Sequence, residues 1–257
     1  MKFRGWAVLA IAMLGEACSS QPPEEEITRS AKTLPPEQAS QIFVEKGVHY
    51  MDTGQYEIAL KDLQKAIELD DDNSEAYNAL GVLYQLIDNP AKADSHFRRA
   101  INLKADNYGA RNNYGRFLCS TGHAAEAFEQ FRSVYGTKLY GQPWMPLTNA
   151  GICAHAVGQT AEAERFLRLA LEANPRFPPA LLELARLSRD TGQAMSARGF
   201  LQRYIAANGP TPEALLLGIE IEMGLGNTQT AIDYMNTLRN QFPDATEVMQ
   251  ARQRVRL

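Results

Sequence analysis

Three cysteines, four histidines and the run Asp70-Asp71-Asp72 are the side chains of this 257-residue chain best suited to nucleophilic, metal-binding or acid–base work. None is arranged for it. His49, His96, His123 and His155 lie far apart and no two are spaced i, i+4, so no metal site is expected. Cys119 sits in no Cys–His nucleophile motif that would mark it as a reactive thiolate. The three aspartates open like a calcium loop but lack the downstream glycine and glutamate, and read as a solvated helix end. Gly224-Leu225-Gly226-Asn227 is a turn, not a phosphate cradle. A net charge of −4 with no basic tract gives nucleic acid no footprint. The reading is a protein without catalytic residues, cofactor, metal, nucleic acid or small-molecule substrate.

The elements that hold these side chains follow a clock. Ala59, Ala93, Ala127, Ala163, Ala197 and Ala231 are separated by 34, 34, 36, 34 and 34 residues. Other columns keep the register: Gly47, Gly81, Gly115, Gly151, Ala185 and Ile219 are mostly small, and Leu63, Phe97, Phe131, Leu167, Leu201 and Met235 are bulky. A turn column reads Gly54, Asp88, Gly122, Gly158, Gly192 and Gly226. Small residues let two helices approach and bulky ones fill the space beside them. Within residues 56–69 the apolar positions Ile58, Ala59, Leu60, Leu63, Ala66 and Ile67 recur at helical spacing. A period of 34 of this kind is the signature of the tetratricopeptide (TPR) repeat. The expectation is an all-α solenoid of six helix-turn-helix repeats, wound as a right-handed superhelix with a concave groove. The repeats span about 40–73, 74–107, 108–143, 144–177, 178–211 and 212–245, and 246–257 forms a C-terminal capping helix. The two extra residues between the third and fourth repeats fall in the segment Tyr135 to Trp144, rich in aromatics and turn formers, which reads as a spacer loop or as a partner-contacting edge.

The N-terminus has its own pattern. Lys2 and Arg4 precede an apolar run, Gly5 to Gly15, too short to span a bilayer, so residues 1–17 read as a secretory signal peptide. Cys18, followed by Ser19 and Ser20, looks like the lipidated cysteine of a bacterial lipoprotein. Gly15-Glu16-Ala17 also fits ordinary cleavage, but an unpaired thiol at a mature N-terminus would be a liability, and lipidation is the preferred reading. Residues 18–39, with Pro22, Pro23, Pro35, Pro36 and Glu24-Glu25-Glu26, read as an anchored, disordered tether. No aspartate follows Cys18, which by resemblance to lipoproteins implies the periplasmic face of the outer membrane.

Cys119 and Cys153 fall in the first helices of neighbouring repeats. In an oxidising periplasm such a pair invites a disulfide, and the alternative is two small buried thiols. With no chemistry to perform, the groove is the working surface. By column it takes in Val44, Val48 and Met51, then Asn78, Val82 and Gln85, then Asn112, Arg116 and Cys119, then Thr148, Ile152 and His155. The valines and Ile152 offer apolar pockets, and an asparagine amide can hold the backbone of an extended peptide. The alternative is that a partner uses an edge or the convex surface.

Asn112-Asn113-Tyr114-Gly115-Arg116-Phe117-Leu118-Cys119, Glu126-Ala127-Phe128 and Leu215-Leu216-Leu217-Gly218-Ile219-Glu220 resemble the type IV pilus biogenesis/stability lipoproteins, the pilotins of the pilus secretin. The resemblance covers nearly the whole mature chain. It implies a lipid-anchored protein that binds secretin subunits in the periplasm and promotes their outer-membrane localisation and multimerisation, with the early repeats around Val48, Asn78 and Val82 as the binding surface. Some relatives carry a cysteine pair in the same repeats, which implies the Cys119–Cys153 bond. The rival expectation is a general periplasmic TPR scaffold for envelope or cell-wall assembly with no pilus role.

Overall fold

The structure is a computed structural model and describes residues 34–254. The segment read as a signal peptide, Cys18 and most of the segment read as a tether lie outside the described residues, as do residues 255–257. Among the described residues there are thirteen helices and no strand. They are α1 (Pro36–Asp52), α2 (Tyr56–Leu69), α3 (Ser74–Leu86), α4 (Pro90–Leu103), α5 (Tyr108–Ser120), α6 (Ala124–Tyr135), α7 (Trp144–Ala156), α8 (Thr160–Ala173), α9 (Pro178–Asp190), α10 (Ala194–Asn208), α11 (Pro212–Gly224), α12 (Thr228–Gln241) and α13 (Thr246–Arg254).

Consecutive helices pair as hairpins from α1–α2 to α11–α12. The first helices of successive hairpins also touch (α1–α3, α3–α5, α5–α7, α7–α9, α9–α11), and α13 packs on α11. This is the TPR solenoid. One boundary differs from the sequence reading: residues 36–39, assigned to the tether, form the first turn of α1. Proline at the start of a helix loses no intrahelical bond. Buried Ala39 and Ser40 then fix the turn, the Ser40 hydroxyl donating to the Ala66 carbonyl at 2.8 Å.

The small column explains itself in the packing. A Cβ added at Gly47, Gly81, Gly115 or Gly151 would sit 2.6 Å from the side chain of Leu63, Phe97, Phe131 or Leu167 respectively. Each glycine gives up helix propensity to let the bulky residue of its partner helix reach the backbone. The last repeat breaks this rule. Ile219 takes the glycine's place, and Leu215, Ile219, Ala231, Met235, Leu238, Val248 and Ala251 form a core cluster separate from the one that runs through the preceding repeats.

The hairpin turns need a left-handed residue, and Gly54, Gly122, Gly158, Gly192 and Gly226 supply it with φ between 74° and 84°. Asp88 holds the same place at φ 55°. A polar relay joins the first two repeats to the next. Asn107 caps α5 by accepting from the Ala110 N–H at 2.8 Å and donates to the Ser74 hydroxyl at 2.7 Å, which in turn donates to the Ala100 carbonyl at 2.9 Å. Asn73, Ser40 and Ala66 repeat the relay 34 residues earlier. The loop at 136–143 is where the period breaks; Tyr140 meets Tyr108 edge-on at 5.9 Å and Leu139 stays 81% exposed. A disulfide between Cys119 and Cys153, Cα–Cα 5.8 Å, ties α5 to α7 across the same joint.

Candidate protein-binding cleft

Because the first helices of successive repeats lie side by side, equivalent positions on α1, α3 and α5 form rows across one face. There Val44, Val48 and Met51 of α1 meet Asn78, Val82 and Gln85 of α3 and Arg116 of α5 around a cleft of about 400 Å³. Val44 is the buried floor, Val48 and Leu86 are exposed walls, and Asp52 and Glu75 also line the cleft. The sequence columns therefore bring seven predicted residues together.

Asn112 is the exception. It is buried and accepts a hydrogen bond from the Asn149 amide at 2.9 Å, inside the α5–α7 seam. Its neighbour Asn113 lines the cleft instead and donates to the Asn78 side-chain carbonyl at 3.1 Å. The two asparagine bridges are the same contact one repeat apart. Each joins the column of Asn78 and Asn112 to the following helix, and on α5 the residue one place along has turned to the open side.

Further along, Thr148 is buried with its hydroxyl on the Trp144 carbonyl at 2.7 Å, so it lines no groove. Cys119 is tied up in the disulfide. Ile152 is exposed. His155 lies between Glu183 (2.7 Å) and Asp190 (3.4 Å).

These last contacts begin a network that sequence reasoning missed. Arg186 pairs with Glu183 and Glu213, Arg189 with Asp190 and Glu220, and Arg254 with Glu220, around a depression of about 250 Å³. The register contained the signal: Val48, Val82, Arg116, Ile152, Arg186 and Glu220 are one column at 34- and 36-residue steps. The row is apolar in the early repeats and ionic in the late ones.

A second depression, between the second and third hairpins, holds Asp94 and Arg98. The Tyr114 hydroxyl donates to Asp94 at 2.7 Å, and Arg98 does so at 2.8 Å. Burial would raise the Asp94 pKa, but these hydrogen bonds outweigh it and hold the carboxyl below its usual range. Burial and the Asp94 bond push the Tyr114 phenol up, so it stays a donor. The Tyr114 bond ties one hairpin to the next, and the Arg98 bond lies within α4. Among the described residues no group of three or more histidine, cysteine, aspartate or glutamate side chains could hold a metal ion, and no helix is long and apolar enough to cross a membrane. What the geometry can do is grip a chain: apolar walls, free amide groups and one unengaged guanidinium.

Known proteins agree with this architecture. Models of the TPR repeat match residues 47–87, and models of the tetratricopeptide repeat match 74–107, 154–217 and 213–245. The type IV pilus assembly protein PilF of Pseudomonas aeruginosa is 27% identical over 211 residues, 82% of this chain and 84% of PilF. Among solved structures, PilW, described as a widely conserved type IV pilus biogenesis factor, superposes with a TM-score of 0.75 at 33% identity, over 83% of this chain and 98% of PilW. The structure of Pseudomonas aeruginosa PilF gives a TM-score of 0.71 at 26% identity, over 85% and 98% of the two chains.

Proposed function

The chain belongs to the tetratricopeptide-repeat family of the type IV pilus biogenesis factors PilW and PilF, and we propose that it serves pilus biogenesis by binding subunits of the pilus secretin. The single observation that carries this reading is the correspondence with PilW over 83% of this chain and 98% of that chain. The work is binding, not catalysis. The lipid expected on Cys18 anchors the protein to the outer membrane, and residues beyond it let the solenoid reach partners in the periplasm. Secretin subunits held in the cleft are thereby delivered to the membrane in which they multimerise.

Two features support the assignment of the cleft rather than the late repeats. The early row leaves apolar surface open, with Val48 exposed and Val82 half-buried at its edge, whereas the charged side chains of the late row already satisfy one another. Burying the rest of the Val48 side chain against a partner contributes about 1 kcal/mol, and half-buried Val82 contributes less. The test is co-capture of the secretin from detergent-solubilised membranes by the wild-type chain and by Val48→Asp/Val82→Asp. Because both positions are at least partly solvent-exposed, the variant keeps its helical circular dichroism, and secretin recovery drops at least about tenfold. Undiminished recovery would remove the cleft from the account.

A further inference from the structure

We infer that the cleft takes a segment in extended, polyproline-II-like form, carrying apolar side chains on two successive turns and a carboxylate on the next, which Arg116 receives. This deepens the reading of the cleft as the partner site and rests on it. Three observations carry it.

The first is the row itself. Val48, Val82 and Arg116 are equivalent positions on α1, α3 and α5, and these helices touch in sequence. Packed helices lie about 8–10 Å apart. A polyproline-II chain rises about 3.1 Å per residue with three residues per turn, so one turn covers about 9 Å and returns a side chain to the same row at every repeat. A pleated strand turns its side chains back after about 6.7 Å and falls out of step.

The second is the free amides. The Asn78 carbonyl is taken by Asn113, which leaves the Asn78 N–H groups as donors and the Asn113 carbonyl as acceptor, side by side on the cleft wall. Gln85 adds another amide, exposed on the same wall. Such groups match a backbone with unpaired N–H and C=O. An extended chain has these, and an α-helix has already used its own.

The third is charge. Among the described residues the Arg116 guanidinium has no hydrogen-bond or ion-pair partner, although Arg186, the same column two repeats on, is held by Glu183 and Glu213. Arg116 offers a flat, forked donor that suits a carboxylate. Asp52 and Glu75 also line the cleft, and their repulsion disfavours an acid near them, so the ligand's carboxylate is confined to the Arg116 position.

The probe is an immobilised positional-scanning library of short synthetic peptides, read with the full mature chain and with Arg116→Glu and Arg116→Lys. The wild type enriches peptides with apolar residues at two positions three apart and Asp or Glu three further on. Arg116→Lys keeps the acidic preference, and Arg116→Glu replaces it with Lys or Arg, leaves the apolar positions unchanged and weakens the acid-bearing peptides at least about tenfold. No enrichment, a helical spacing without an acid, or an acidic preference that survives Arg116→Glu would each overturn the inference. Secretin capture by the wild-type chain, run in parallel, separates the two levels. Secretin bound without the peptide pattern overturns the inference and leaves the function standing. The pattern without secretin overturns the function and leaves the cleft's specificity standing.

Discussion

Replacing Gly81 by alanine in α3 and Gly199 by alanine in α10 makes the same chemical change inside two helices, and the packing dictates opposite outcomes. At Gly81 the new Cβ would lie 2.6, 2.7 and 2.9 Å from three atoms of the Phe97 ring, against an ordinary carbon–carbon contact of about 3.5–4.0 Å. The ring must withdraw by about 1 Å. It is fully buried and wedged against Tyr114 and Phe117, each with its ring centroid 5.7 Å away, so it cannot withdraw without displacing the next repeat. Overpacking of this kind costs about 1–3 kcal/mol or more, and the gain in helix propensity returns about 1. The net expectation for Gly81→Ala is a loss of about 1 kcal/mol or more. A Cβ at Gly199 meets nothing within 4 Å, so Gly199→Ala keeps the propensity gain of about 1 kcal/mol. Urea titration followed by helical circular dichroism therefore places the two midpoints on opposite sides of wild type. If Gly81→Ala were as stable as wild type, the reading of the small column as enforced helix contact would be wrong.

The turn at Asp88 is the one place in its column where a side chain is forced to φ 55°, so Asp88→Gly stabilises the protein by about 1 kcal/mol in the same titration; a loss would mean that the aspartate side chain holds the turn. Reducing the Cys119–Cys153 bond, which spans 34 residues, lowers stability by about 4 kcal/mol on the loop-entropy argument, and coincident urea midpoints with and without reductant would contradict it. Burial of the His96 ring, which stacks on Tyr84 at 5.1 Å, together with Lys92, holds its pKa below the usual 6.5. The unfolded chain then binds the proton more readily, so this part of the stability is complete above 6.5 and is lost as pH falls through 6.5 toward the folded value. His96→Gln should flatten the stability difference between pH 7.5 and 5.5; an unchanged slope would clear His96 of the effect.

Much of the fold was written in the spacing, because a solenoid repeats one local solution and each repeat reports on the others. The glycine column and the bulky column that faces it were readable as a pair before any contact was known. Most of the cleft followed by the same arithmetic, since Val48, Val82 and Arg116 are one column. Asn112 was misplaced because spacing gives a position's row but not what covers it: Asn149 of α7 donates to its side-chain carbonyl and Asn112 is buried in the seam, while Asn113 lines the cleft. The late ionic row lay in the same columns, but ion pairs such as Arg186–Glu213 depend on long side chains choosing among several partners, which spacing does not encode. The start of α1 was lost for another reason: two prolines and a glutamate look like a tether, and only the burial of Ala39 and Ser40 beneath α2 makes them a helix start.

The central claim is that this TPR protein delivers the pilus secretin, and the most direct measurement is the amount of secretin multimer in outer-membrane fractions of three strains: wild type, a deletion, and Cys18→Ala. The account predicts multimers in the wild type, none in the deletion, and loss or mislocalisation with Cys18→Ala. Multimers present at wild-type level in the outer membrane of the deletion strain would contradict it.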